Sequence, residues 1–218
     1  MVKREVRSTA PRVSAPDLPA VLGDGTPRPH GDFHQERFTG LDGSVDLAHS
    51  ALEECVIDDS FVETLDLAGA TLIDVAVSDL RAASVSLRES TIRRLRISGG
   101  RIGSLDLMNA RIAELELRDV RIDYLTLGGA RAEDVLVAGC TIRALDLPQA
   151  TLTRVAFEDS RADEVDPRGM RCAGVDLRGL DALSFLDVLA LRGVSLTSLQ
   201  VERLAPAFAA AAGIDVRD

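Results

Sequence analysis

The 218-residue chain has no tryptophan, one tyrosine and six phenylalanines. That scarcity excludes nucleic-acid modules that read bases by stacking them on aromatic side chains, and leaves the core to aliphatic residues. Its three cysteines, Cys55, Cys140 and Cys172, are odd in number, far apart and without a CxxC pair, so neither a disulfide framework nor a cysteine zinc site is implied. No apolar run approaches membrane-spanning length, and the opening MVKREVRSTAPRVSAP lacks the apolar stretch of a secretory signal, so a cytoplasmic protein is expected. Basic residues are in deficit: 25 against 35 acidic, a formal charge of -10 and a pI near 4.8. This is the wrong sign for gripping phosphates or an anionic membrane, so neither direct nucleic-acid binding nor membrane binding is expected, and a basic protein partner stays open.

Catalytic patterns are missing too. There is no Walker A loop, GxSxG elbow or HExxH motif. His30 and His34 have an HxxxH spacing that would need a formed helix and further ligands to hold a metal, so no metal, no cofactor and no enzymatic activity are expected. Residues 1–40 hold five of the eight prolines (Pro11, Pro16, Pro19, Pro27, Pro29) without a sustained apolar period, and are read as a flexible tail.

From residue 41 to 182 the chain obeys a period of five. Stepping by five from Leu47 through Leu67, Leu87, Leu107 and Leu127 to Leu177 meets 27 residues, none charged, and the series two places earlier, Val45 to Val175, meets another 27, again none charged. At 28% charged residues, 54 random positions would hold about 15 charges, so these sites face an interior that excludes charge. A five-residue repeat fits neither a helix nor a long strand. It fits a pair of inward side chains followed by a corner, four such sides closing a coil of 20 residues.

Ala150-Thr151-Leu152-Thr153-Arg154 and Val175-Asp176-Leu177-Arg178-Gly179 carry the pattern in which this sequence resembles the pentapeptide repeat family. The resemblance implies an all-β fold, a right-handed quadrilateral β-helix. Its usually small position is large in every second repeat here (Leu65, Val75, Val85, Leu95, Leu105, Leu115), so two opposite sides of each coil carry bulky pairs and the cross-section becomes rectangular. The open strand ends of such a rod need caps. Residues 183–218 are expected to supply one: a short helix begins at Ser195 or Thr197, Gly213 closes it, and Pro206 kinks or splits it. Leu199, Leu204 and Phe208 fall near one face, as end-cap contacts or, as the resemblance implies, as contacts of a homodimer.

Outward charge sorts by side. One side carries the column Asp46, Asp66, Asp106, Asp146 and Asp166; the opposite side carries Asp79, Asp119 and Asp159 among eight acidic residues; both are net negative. Of the other two, one balances six acidic against six basic residues and one carries Arg81, Arg101, Arg121 and Arg161. Stacked aspartates repel, so the columns either bond to corner backbone groups or serve a partner. Some members of the family mimic DNA, bind a type II topoisomerase such as DNA gyrase and protect it from quinolones or toxins. The resemblance therefore implies a non-enzymatic interaction protein of that kind, with a scaffold or adaptor for an unrelated protein as the alternative.

Overall fold

The computed structural model describes residues 9–217. The chain winds into a parallel β-solenoid of about eight turns, closed by one C-terminal helix. Each central coil contributes one longer strand to the first sheet and one shorter strand to the second, as in Thr71–Ser78 followed by Arg81–Ser86. Rung follows rung at 20 residues: Leu72 pairs with Ile92, Ile102 with Ile122, and Leu145 with Val165. Every inward position of the five-residue series is buried except Gly100, Met170 and Cys172, which are partly buried. The bulky positions Leu95, Leu105, Leu115 and Leu125 are all at most 2% exposed. The leucine-lined void within the rod amounts to only about 20 Å³, room for about one water and lined by apolar side chains that give a water no partner. Function therefore belongs to the outer surface.

Polar residues at inward positions are satisfied locally. The hydroxyls of Ser60, Ser90 and Ser160 donate to the carbonyls of Asp58 (2.7 Å), Leu87 (2.7 Å) and Glu158 (2.8 Å) at the adjoining corner, which removes the cost of burying an unpaired group. Three of the four corners of a typical coil place a residue in the left-handed region, as at Arg94 (φ 58°), Gly99 (φ 66°) and Glu89 (φ 56°). This conformation is easy for glycine and tolerated by asparagine and aspartate, which accounts for the Gly, Asn and Asp content of those columns.

The solenoid starts before residue 41. Strands β1 (Gly23–Asp24), β2 (Asp32–His34) and β3 (Glu36–Thr39) belong to the first sheet. Phe33 and Phe38 fill the first coil, both 0% exposed, with rings edge to face at 5.1 Å. The five-residue series misses this coil because its register is 19, Phe33 to Leu52 and Phe38 to Ile57, and the missing residue is made up at an irregularity between Gly43 and Ser44.

Residues 9–22, expected to be a flexible tail, instead form a strap along one corner of the rod. The Arg12 amide donates to Asp134 Oδ1 (2.8 Å), the Ser14 amide and hydroxyl to Glu114 Oε2 (3.2 and 2.9 Å), and the Asp17 amide to Asp74 Oδ1 (2.9 Å). Asp134 and Asp74 lie three coils apart, about 14 Å, and the five steps from Arg12 to Asp17 span about 16 Å in a polyproline-like conformation. Pro11, Pro16 and Pro19 favour that conformation and carry no amide that would need a partner. Gly23 and Gly25 then donate to the carbonyls of Gln35 (2.9 Å) and Arg37 (2.8 Å), so the strap leads into the amino-terminal end of the rod.

At the other end a 3-10 turn, Val188–Leu191, precedes helix α1 (Ser198–Ala211). Thr197 caps the helix in a reciprocal box with Gln200, whose Oε1 accepts the Thr197 amide (2.8 Å) while its Nε2 donates to the carbonyls of Leu177 (2.8 Å) and Leu180 (2.9 Å). One side chain thus caps the helix and covers two carbonyls of the last full coil. Pro206 does not split the helix: Glu202, whose carbonyl it leaves without an amide, is exposed to water. Leu204 and Phe208 are partly buried against the rod, whereas Leu199 is 56% exposed.

Asp134, where the strap meets Arg154, makes stability depend on pH. The Arg154 guanidinium, with help from the Arg12 amide, holds the Asp134 carboxyl below its ordinary 3.8. A depressed folded pKa gives stabilisation that is present above 3.8 and lost as pH falls through the folded value. Asp134→Ala should cost about 1–2 kcal/mol at pH 7, lowering Tm by a few degrees, and wild type and variant should converge below the folded pKa; calorimetric melts across pH check this.

Candidate interaction surface

Two aspartate columns were singled out by the sequence, and the fold gives them different surroundings. In the first, the carboxylate turns back on its own corner. Asp46, Asp66 and Asp106 each accept the amide two residues on, from Ala48, Ala68 and Met108 at 2.9 Å, and Asp166 accepts that of Arg168 at 3.1 Å. These are aspartate turns that stand in for a backbone turn. Arg88 adds an ion pair to Asp106 (2.9 Å) and Arg168 one to Asp166 (2.6 Å). Asp166 is only 4% exposed, and the Arg168 guanidinium holds its carboxyl below the ordinary value. Asp146 cannot follow the pattern, since Pro148 offers no amide. Burial, and then the charge of Asp166, push its carboxyl up.

The second column stands at a left-handed corner and faces solvent. Asp79 (φ 51°), Asp119 (φ 55°) and Asp159 (φ 43°) are exposed, and their side chains make no hydrogen bond or ion pair among the described residues. Asp59 (φ 44°), another of the eight acidic residues on that side, heads the same corner. Glycines stand between the acids: a Cβ on Gly99 or Gly139 would collide with Oδ1 of Asp79 or Asp119. Asp79, Asp119 and Asp159 therefore recur every second coil, about 9.6 Å apart, close to the roughly 10 Å screening length at 0.1 M salt. Their mutual repulsion is correspondingly small. On the same side Glu116, 4% exposed, is tied up by Arg96 (2.6 Å) and Arg118 (2.8 Å).

The histidines do not converge. His30 stacks on His49 with ring centroids 5.3 Å apart, while His34 faces Glu53 at 3.7 Å from a strand rather than a helix. Among the described residues no group of three or more His, Cys, Asp or Glu side chains is arranged to hold a metal ion, and no helix is long and apolar enough to cross a membrane.

With five-residue sides, 20-residue coils and in-register parallel pairing established, the architecture is decided. The fold is that of a pentapeptide-repeat β-helix. No family model and no curated protein matches the sequence. Among solved structures, the rod is similar to QnrB1, a plasmid-mediated fluoroquinolone resistance protein, in a trypsin-treated form (TM-score 0.38, 14% identity, covering 86% of this chain and 100% of that one) and at full length (0.34, 12%, 82% and 99%). It is also similar to HetL, a pentapeptide repeat protein involved in heterocyst differentiation regulation from the cyanobacterium Nostoc sp. strain PCC 7120 (0.25, 14%, 71% and 90%). With TM-scores of 0.38 or less, these likenesses carry no argument beyond the geometry already described.

On this pentapeptide-repeat rod, the sequence picked out both acidic columns but could not separate them. The distinction is local: the amide two places after the aspartate is free to meet it in the first column, whereas in the second that amide, of Arg81, Arg121 or Arg161, is already given to the carbonyl of the preceding coil, and glycine stands one coil later. Asp106→Ala should cost about 1 kcal/mol, as a lost corner hydrogen bond does, and Asp119→Asn, which removes the charge but keeps a residue that tolerates the left-handed corner, should stay within about 0.5 kcal/mol of wild type. Urea unfolding of the two single variants measures the difference.

Proposed function

We propose that the chain is a non-enzymatic, cytoplasmic interaction protein whose acidic corner, Asp79, Asp119 and Asp159 with Asp59, engages a positively charged protein surface. The partner that best fits the reading is the DNA-gripping groove of a type II topoisomerase such as DNA gyrase, which the rod would occupy as a DNA mimic and so protect from quinolones or toxins. One observation carries the proposal. The left-handed corner explains why a short residue or glycine stands there, as Gly99 and Gly139 do, but it does not explain a negative charge without a partner. The column Asp46, Asp66, Asp106 and Asp166 has a corner role in the fold and is secondary in this proposal. The triple variant Asp79→Asn, Asp119→Asn, Asp159→Asn keeps side-chain shape while removing three charges. It should melt like wild type yet lose inhibition of DNA supercoiling, and the wild-type inhibition should weaken steeply with salt. Wild type that leaves supercoiling unchanged at micromolar concentration refutes the topoisomerase reading and leaves an adaptor for another basic partner.

A homodimer through the C-terminal segment is part of the same proposal, supported by the exposed Leu186, Leu189, Leu199 and Val201 around the last coil and α1. Exposed apolar groups clustered at one end are what a two-fold contact uses. Because Leu199 is more than half exposed, Leu199→Asp should convert a dimer to a folded monomer in sedimentation, with Tm falling by no more than the lost association accounts for. A wild-type chain that sediments as a monomer rejects the dimer.

A further inference from the structure

The side built around Leu72, Ile92, Ile112, Ala132 and Leu152 carries six acidic residues against six basic, and the fold sorts the two signs: every acid stands at the strap corner or beside it, while Arg111, Arg131 and Arg171 share an outward column that holds no acid, two or three places earlier in each coil. Each of its acids has another partner. Glu53 lies by His34 at 3.7 Å and Glu54 accepts from Gln35 at 2.7 Å. Asp74 accepts from Arg94 and from the strap amide of Asp17. Glu114 is taken by Ser14 of the strap, and Glu133 and Asp134 are both held by Arg154. Two of the six arginines, Arg94 and Arg154, are therefore engaged. The other four, Arg93, Arg111, Arg131 and Arg171, are exposed and form no ion pair or hydrogen bond among the described residues.

The register sets these four in order. Thr71, Thr91, Arg111, Arg131, Thr151 and Arg171 follow one another on successive rungs of one outward column, with Arg93 beside it. The arginines span four coils, about 19 Å. Guanidiniums on adjacent rungs, as at Arg111 and Arg131, repel each other weakly, a cost that an anion in front of the column would remove. We propose that this face is a docking surface for an extended acidic segment of a protein partner, lying lengthwise on the rod beside the strap. The strap shows that the rod receives an extended chain in this orientation, on the corner next to this face. A nucleic acid fits less well. The face has no aromatic side chain to stack a base, and the overall charge of -10 opposes a long uniform polyanion more than a short acidic stretch.

The test uses the full-length chain and a fluorescein-labelled deca-glutamate peptide, with anisotropy read at low salt. Wild type should bind saturably, and Arg111→Glu with Arg131→Glu should weaken binding at least tenfold with Tm unchanged. Arg81→Glu with Arg121→Glu, the same charge change on the neighbouring side, should retain most of the binding. Should the first double variant fold poorly, Arg111→Gln with Arg131→Gln should still lose several-fold. No saturable binding by wild type, or equal losses in the two double variants, refutes the docking face. A 20-base-pair duplex that binds the same arginines more tightly than the peptide overturns the acidic-segment assignment. None of these outcomes touches the acidic corner, so this proposal and the topoisomerase reading stand or fall separately.

Discussion

Exclusion of charge from the two inward positions of every five-residue side is the constraint on which the rest of the molecule depends. An interior of aliphatic pairs stacked at one coil per 20 residues leaves no space for ligands and no freedom of register, because a one-residue slip would carry charged side chains inside. Everything outward is then locked into columns. A residue's neighbours along the rod are the residues 20 before and 20 after it, and they share its corner geometry whatever their chemistry. Charge patterns on such a surface are consequences of coil arithmetic, and their meaning depends on which corner they fall on.

That arithmetic was legible from the sequence wherever it ran without interruption. The coils from Val45 to Leu180, the alternation of bulky and small inward sites, and a C-terminal helix opening at Ser195 or Thr197 and closing at Gly213 follow from residue type and spacing; that Thr197 is the cap comes from the structure. The first coil did not, because one residue fewer between Phe38 and Ile57 shifts Phe33 and Phe38 off the series, and a strict five-step count reads past them. The strap left even less trace. It is held by backbone amides of Arg12, Ser14 and Asp17 donating to carboxylates 122, 100 and 57 residues away, and backbone donors leave no mark in the side-chain pattern. Its prolines, which suggest disorder when read alone, are what keep the segment extended.

The surface columns needed the fold to be told apart, for a related reason. Counting charges per side treats every carboxylate as available, whereas Asp106 and Asp166 are occupied by their own corners, Glu116 by two arginines, and Asp74, Glu114 and Asp134 by the strap and Arg94 or Arg154. What remains is sharper than the count: an unpartnered acidic corner at Asp79, Asp119 and Asp159, and an unpartnered basic column at Arg111 and Arg131. A chain of net charge -10 thus presents both signs on separate faces of one rigid rod, an arrangement suited to meeting two unlike partners at a fixed distance.

The strap also bears on how such a protein can change over generations. Solenoids ordinarily lengthen or shorten by duplicating or deleting whole coils, since each coil contacts only its neighbours. Here three amides spaced along residues 12–17 must meet carboxylates on rungs one and three coils apart, so one coil gained or lost between Asp74 and Asp134 would move one partner out of reach by about 4.8 Å. The segment acts as a ruler laid against the rod. Descendants of this chain are free to vary in length beyond the strapped span, at the carboxyl-terminal coils, but within it the number of turns is fixed.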